Sequence, residues 1–121
     1  MKLSNLIHIR KIFARYADER LPTALAYKLM RFMKASDNDE AFYIEKYRVI
    51  IEKYAQRNED GEPITENGGI RLSPDAADDI RELENTTADI PKITFSIFEF
   101  EQLRLSMTDL YVLDELITEG E

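Results

Sequence analysis

The chain contains no cysteine, which excludes disulfides, thiolate metal sites and a cysteine nucleophile. It contains one histidine, His8, too few for the converging ligands of a zinc or other transition-metal site. His8 lies on the flank of a basic amphipathic segment and reads as an ordinary surface side chain. No run approaches the ~20 apolar residues needed to span a bilayer. Met1–Arg10 lacks the apolar stretch and small-residue cleavage site of a secretory signal. A reducing cytoplasm is the expected compartment. Between Pro22 and Gly61 there is neither glycine nor proline, so nothing in that stretch obliges a helix to break. There are no internal repeats and no low-complexity tract.

The motifs of common chemistries are also missing. An EF-hand loop starting at Asp37 would have Ala41 and Phe42 at its fifth and sixth positions, and one starting at Asn58 would place Pro63 at the sixth, where glycine is required. Gly68-Gly69 is followed by neither a phosphate-binding Lys-Ser/Thr pair nor a Gly-x-Gly-x-x-Gly pattern. There is no Gly-x-Ser-x-Gly nucleophile elbow. Glu99 and Glu101 could share a strand face as an acid/base pair, but a chain with 24 acidic residues produces such pairs by chance. An enzyme is not expected, and neither is a cofactor or a bound metal.

What is present suits one domain of 121 residues with enough apolar side chains, 44%, to build a core. Leu3 to Tyr16 reads as a helix, with Leu6, Ile9, Phe13 and Tyr16 at helical spacing and Ser4 or Asn5 as candidate caps. Pro22 fits the first turn of a second helix. Leu25, Leu29, Met33, Ile44, Tyr47, Ile51 and Tyr54 lie close to one stripe, with Ser36 and Glu40 on the same stripe between them. That phase favours one helix from about Thr23 to Gln56, against a break at Ser36-Asp37-Asn38-Asp39. Tyr43, Tyr47 and Tyr54 read as core rather than as an exposed stacking platform.

Asn67-Gly68 marks a two-residue hairpin turn, since both central residues of a type I′ turn need positive φ. Ser73-Pro74-Asp75 reads as a helix start, the helix running to about Leu83 or Glu84 and ending at Asn85-Thr86-Thr87. Ile90 to Phe100 alternates as an extended segment, with a phase change after Ile97 that signals a bulge, a bend or a helical turn starting at Ser96. Ser106-x-x-Asp109 opens a last helix, with Leu110, Leu113, Leu116 and Ile117 inward and Gly120 as its end. The expected fold is α+β and mostly α, a single domain over 1–121. It comprises an N-terminal helical hairpin (1–57), a small β-hairpin region (58–74), and an acidic helix, extended segment and C-terminal helix (75–121).

The net charge of −8 is unevenly spread. Residues 1–35 hold eight basic and two acidic residues, giving +6; residues 36–60 give −3; residues 61–121 hold four basic and fifteen acidic residues, giving −11. Either the two halves neutralise each other by packing, or each presents its own surface. The basic candidates for partner or nucleic-acid contact are Arg10, Lys11, Arg15, Lys28, Arg31 and Lys34. The acidic candidates for partner contact are Asp75, Asp78, Asp79, Glu82 and Glu84, followed by Glu99, Glu101, Asp114, Glu115, Glu119 and Glu121. A rigid array of carboxylates can imitate nucleic-acid phosphates.

The order of Leu21-Pro22-x-x-x-Ala26-Tyr27-Lys28-Leu29, Ile51-Glu52-Lys53-Tyr54, Asp60-Gly61, Asn67-Gly68, Ile90-Pro91-Lys92-Ile93 and Leu105-Ser106-x-x-Asp109-Leu110-x-x-Leu113 is similar to that in a family of short, uncharacterised proteins from phages and prophages of Gram-positive bacteria. The resemblance spans nearly the whole chain and rests on structural punctuation. It carries no site residues. What it implies is a small non-catalytic phage protein that works by binding, in the host cytoplasm or in the virion. Three roles stay open: inhibition of a host or defence protein such as a CRISPR nuclease, virion assembly or chaperoning of a structural subunit (homo-oligomers included), and nucleic-acid binding through the basic helices.

Overall fold

The computed structural model describes residues 1–118. Two helices form the N-terminal half: α1, Leu3–Ala14, and α2, Thr23–Tyr54. They run antiparallel, with Phe13 against Phe32 near the turn (ring centroids 5.3 Å apart, edge to face) and Arg10 against Ser36 further along. α2 is continuous through Ser36–Asp39, as the unbroken apolar phase predicts. Neither Ser4 nor Asn5 caps α1. Lys2 is the N-cap without a side-chain bond, and the free Leu3 N–H donates instead to the Thr86 carbonyl at 2.8 Å. A backbone group from a distant part of the chain thus satisfies the helix end that local sequence leaves open.

The hairpin forms where Asn67-Gly68 demands it. β1, Thr65–Glu66, pairs antiparallel with β2, Gly69–Ile70, and the two turn residues take φ of 51° and 81°. Two such short strands are not stable alone. Their arms are tied to the chain leaving α2, where the Ile64 N–H bonds the Gln56 carbonyl and the Gln56 N–H bonds the Arg71 carbonyl, each at 2.8 Å.

α3 spans Ala76–Asn85. Its first turn begins at Ser73 as the sequence signals: Ser73 Oγ accepts from the Asp75 N–H at 3.4 Å and the Ser73 carbonyl from the Ala76 N–H at 3.0 Å, with regular helical bonding following after Asp75. The next segment resolves the phase change: β3, Phe95–Ser96, gives way to α4, Ile97–Phe100. Ser96 accepts from the Glu99 N–H while Glu99 accepts from the Ser96 N–H, a reciprocal capping box. A 3₁₀ turn, Glu101–Leu103, leads through Arg104 in the left-handed region (φ 53°) to α5, Met107–Leu113. The Ser106/Asp109 pair repeats the capping box.

The last helix is shorter than the leucine spacing predicts. After Leu113 the chain tightens into a 3₁₀ turn, Asp114–Leu116, then forms β4, Ile117–Thr118, which pairs parallel with β3. Ile117 is therefore a strand residue, not a helix-face residue. Gly120, read as the helix end, lies outside the described residues, as do Glu119 and Glu121. The structure is α+β, mostly α. Leu3, Leu6, Ile9 and Phe13 of α1 join Leu25, Leu29 and Phe32 of α2, Leu83 of α3, Phe95, Phe100, Leu103 and Leu113 in one buried cluster. Among the described residues no helix is long and apolar enough to cross a membrane.

Candidate functional site

The two charged halves do meet, and that sorts the candidate residues. Arg10 is not on the surface. It is only 7% exposed, and its guanidinium donates to the Met33 carbonyl, Ser36 Oγ, Asp37 and Glu40 at 2.6–3.3 Å. Burial pulls its pKa down, but Glu40 and Asp37 more than offset that and hold it above the ordinary value. Ser36, fully buried on α2, accepts from Arg10 and donates to the Phe32 carbonyl at 2.8 Å. The cluster that suggested a helix break therefore anchors α1 to α2.

Two more of the basic candidates are engaged internally. Arg15 at the end of α1 pairs with Asp109 of α5 at 2.9 Å, and this contact foremost holds the Asp109 carboxyl below its usual range. Lys28 of α2 bonds both oxygens of Glu99 at 2.9 and 3.0 Å and sits over the Phe95 ring, 4.7 Å from its centroid. Burial raises the Glu99 pKa, but the Ser96 and Lys28 donors outweigh it and the net direction is down. Glu99 is thus held by its cap and by Lys28, while Glu101 is exposed in the following 3₁₀ turn. The two do not form a carboxylate pair.

Lys11, Arg31 and Lys34 remain exposed, on two different faces. Lys11 lines a groove of about 330 Å³ with Ser4, Ile7, His8, Tyr43, Tyr47 and Glu84. Tyr43 and Tyr47 stack there at 5.8 Å, half-buried, and burial, with Glu84 and Tyr47 adding, pushes the Tyr43 phenol up. Arg31 and Lys34 lie on the outer face of α2. The continuous basic patch expected of the first 35 residues is not formed.

The acidic candidates divide by helical phase. Asp75, Asp78, Asp79 and Glu82 fall on one face of α3, and Glu84 lies on the opposite side, in the groove with Tyr43. Asp79 is partly committed, accepting from the Tyr54 hydroxyl at 2.8 Å with Lys53 Nζ 3.9 Å away. Among the described residues Asp78 pairs only with its neighbour Arg81, at 3.4 Å, with both side chains largely in solvent. Asp75 and Glu82 are exposed with no ion pair among the described residues. Between this face and α2 runs a shallow groove floored by Ile50 and Leu83, with Phe42, Lys46 and Val49 along its α2 side.

Sequence reasoning missed the exposed apolar face of α5. Met107 is 74% and Tyr111 79% exposed, four residues apart, with Phe98 of α4 also in solvent. Their spacing from Leu110 and Leu113 was the available signal, because one short helix cannot bury both faces. Among the described residues no three His, Asp or Glu side chains converge as metal ligands. No family model, curated protein or solved structure matches the chain.

Proposed function

We propose that this chain is a non-catalytic binding module that uses the acidic face of α3 to engage a basic surface on another protein. The observation that carries this reading is the asymmetry of neutralisation. Arg10, Arg15 and Lys28 are each paired with acids on other elements of their own chain, whereas Asp75 and Glu82 have no ion pair among the described residues and Asp78 beside them meets Arg81 with both side chains in solvent. Carboxylates fixed one helical turn apart offer a basic groove charges it would otherwise receive from phosphates. A nuclease or other nucleic-acid-handling protein is the partner class this chemistry fits, and a phage protein inhibiting such a host or defence protein is the role, exercised in the host cytoplasm. No cofactor enters this mode of action.

The test is affinity purification of the tagged chain from bacterial lysate, with and without nuclease digestion, read by mass spectrometry. A stoichiometric basic protein that survives digestion, and is lost with Asp78→Lys/Glu82→Lys at unchanged far-UV dichroism, is the expected result. A partner retained by that variant overturns the acidic-face reading. A second reading, a virion-assembly or chaperone role, is favoured by one observation, the exposed Met107 and Tyr111 on α5. It expects Met107→Ala/Tyr111→Ala to release the partner and the α3 reversal to be silent. Nucleic-acid binding would rest on Lys11, Arg31 and Lys34 alone, with a steep salt dependence.

A further inference from the structure

The outer face of α2 carries a pattern that its packing against α1 does not use, although its C-terminal end, at Phe42 and Val49, borders the groove toward α3. Tyr27, Arg31 and Lys34 lie on one stripe of the N-terminal half of the helix, and Phe42, Glu45 and Val49 continue that stripe in the C-terminal half. All six are exposed, Tyr27 by 57%, Phe42 by 45% and Val49 by 44%. The opposite face of the helix carries Leu25, Leu29, Phe32, Ser36 and Ile50 into the core. The stripe's halves differ in charge: Arg31 and Lys34 lie on its N-terminal half, while the charges on the line of its C-terminal half are Glu45 and, two turns on, Glu52, both bonded by Arg48 at the stripe's edge. Asn38 lies on the same stripe, at the middle of α2.

We infer that α2 is a dimerisation helix, with two copies of the chain packed antiparallel along this stripe about a twofold axis through Asn38. In that register, residues equally distant from Asn38 lie opposite each other. Tyr27 meets Val49 of the second copy, Arg31 meets Glu45, and Lys34 lies over the ring of Phe42, each contact made twice by symmetry. Tyr27 thus meets an apolar side chain, Arg31 a carboxylate and Lys34 an aromatic ring, with Asn38 facing its own copy on the axis. The parallel arrangement instead sets Arg31 against Arg31, Lys34 against Lys34 and Glu45 against Glu45, and is repelled at every charged position. The antiparallel pair also aligns the positive end of each helix dipole with the negative end of the other.

Other charges border the stripe. Arg48 bonds Glu45 and Glu52 within its own chain, and Lys46 lies on the flank toward α3, 5.7 Å from the Phe42 ring centroid. Exposed pairs of this kind are easily exchanged, so Arg31 can join Arg48 on Glu45 without displacing it. Two helices meeting along a stripe about 10 Å wide over most of α2 bury about 400 Å² per copy, below the standard size for a tight complex. The dimer is accordingly weak and concentration-dependent.

Sedimentation of the full chain across micromolar to millimolar concentrations tests this. The wild type forms a reversible dimer. Arg31→Glu and Glu45→Arg each raise its dissociation constant tenfold or more, and the double reversal restores it. Asn38→Cys, in a chain without native cysteine, gives a disulfide-linked dimer on mild oxidation, while Thr108→Cys on α5 does not. A chain that stays monomeric at millimolar concentration, a dimer indifferent to both single reversals, or a double reversal that fails to restore it overturns the inference.

Discussion

Arg10 shows how much one side chain can decide. It occupies an inward position of α1, four residues after Leu6 and three before Phe13, and its counterparts Ser36 and Glu40 interrupt the apolar stripe of α2. Two polar intrusions on facing stripes are the sequence signature of a buried ion pair, and reading each helix separately conceals it. The guanidinium's fork reaches a carbonyl, a hydroxyl and two carboxylates at once, which a lysine ammonium cannot do. Arg10→Ala removes the donor to Ser36 Oγ and the counter-charge of Glu40 and Asp37, and is expected to cost about 3 kcal/mol in urea melts, with Arg10→Lys costing about half. An equal cost for the two would mean that packing, not the bond network, sets the value. Glu84 teaches the same lesson on the acidic side: its phase places it on the far side of α3 from Asp78 and Glu82, which a count of acids along the helix overlooks.

At the scale of elements, what local chemistry dictates was legible and what distant chain supplies was not. α2 follows from an unbroken apolar phase without glycine or proline, and the hairpin from a turn pair that tolerates positive φ. β4 escaped notice because a two-residue parallel pairing leaves no periodicity, and its partner β3 comes from elsewhere in the chain. The twin capping boxes at Ser96 and Ser106 were half legible. The Ser106-x-x-Asp109 start announced itself, while the Ser96 box was one of three readings of a phase change. Ser96→Ala and Ser106→Ala should each cost about 1 kcal/mol.

The boxes also give the fold an acid limb. Glu99 and Asp109 titrate below their ordinary 4.5 and 3.8, so as pH falls the unfolded chain takes up protons before the folded one does. Their stabilisation is complete above about pH 5 and is lost as the pH drops through their folded-state values. Urea melts between pH 7 and 3 should show this decline, and Glu99→Gln should flatten part of it; an unchanged slope would show that these carboxylates do not govern it.

Over the whole molecule, the opposed charges of the two halves are reconciled at a few chosen contacts rather than by general mixing. Arg15 and Lys28 cross to Asp109 and Glu99 of the acidic half, Arg10 ties α1 to Asp37 and Glu40 of α2, and Asp75, Asp78 and Glu82 of α3 are left in solvent. This is why a sum over residues could pose the question of neutralisation without answering it. The aromatic centre joins both halves as well. Phe13 touches Phe32, Phe95 and Phe100, with ring centroids 5.3, 5.8 and 6.3 Å away. Phe13→Ala should cost about 4 kcal/mol, and helical and near-ultraviolet dichroism should be lost together in one transition. Separate transitions for the two signals would show that the halves fold independently.

That aromatic centre sets an order of events during synthesis. A ribosome delivers Phe13 and Phe32 first, and the rings that enclose them, Phe95 and Phe100, only much later along the chain. Until then the nascent helical pair carries an uncovered greasy seam, so the growing chain depends on whatever shelters such seams in the cell, and a message cut short before Phe95 yields a product with no means of closing it.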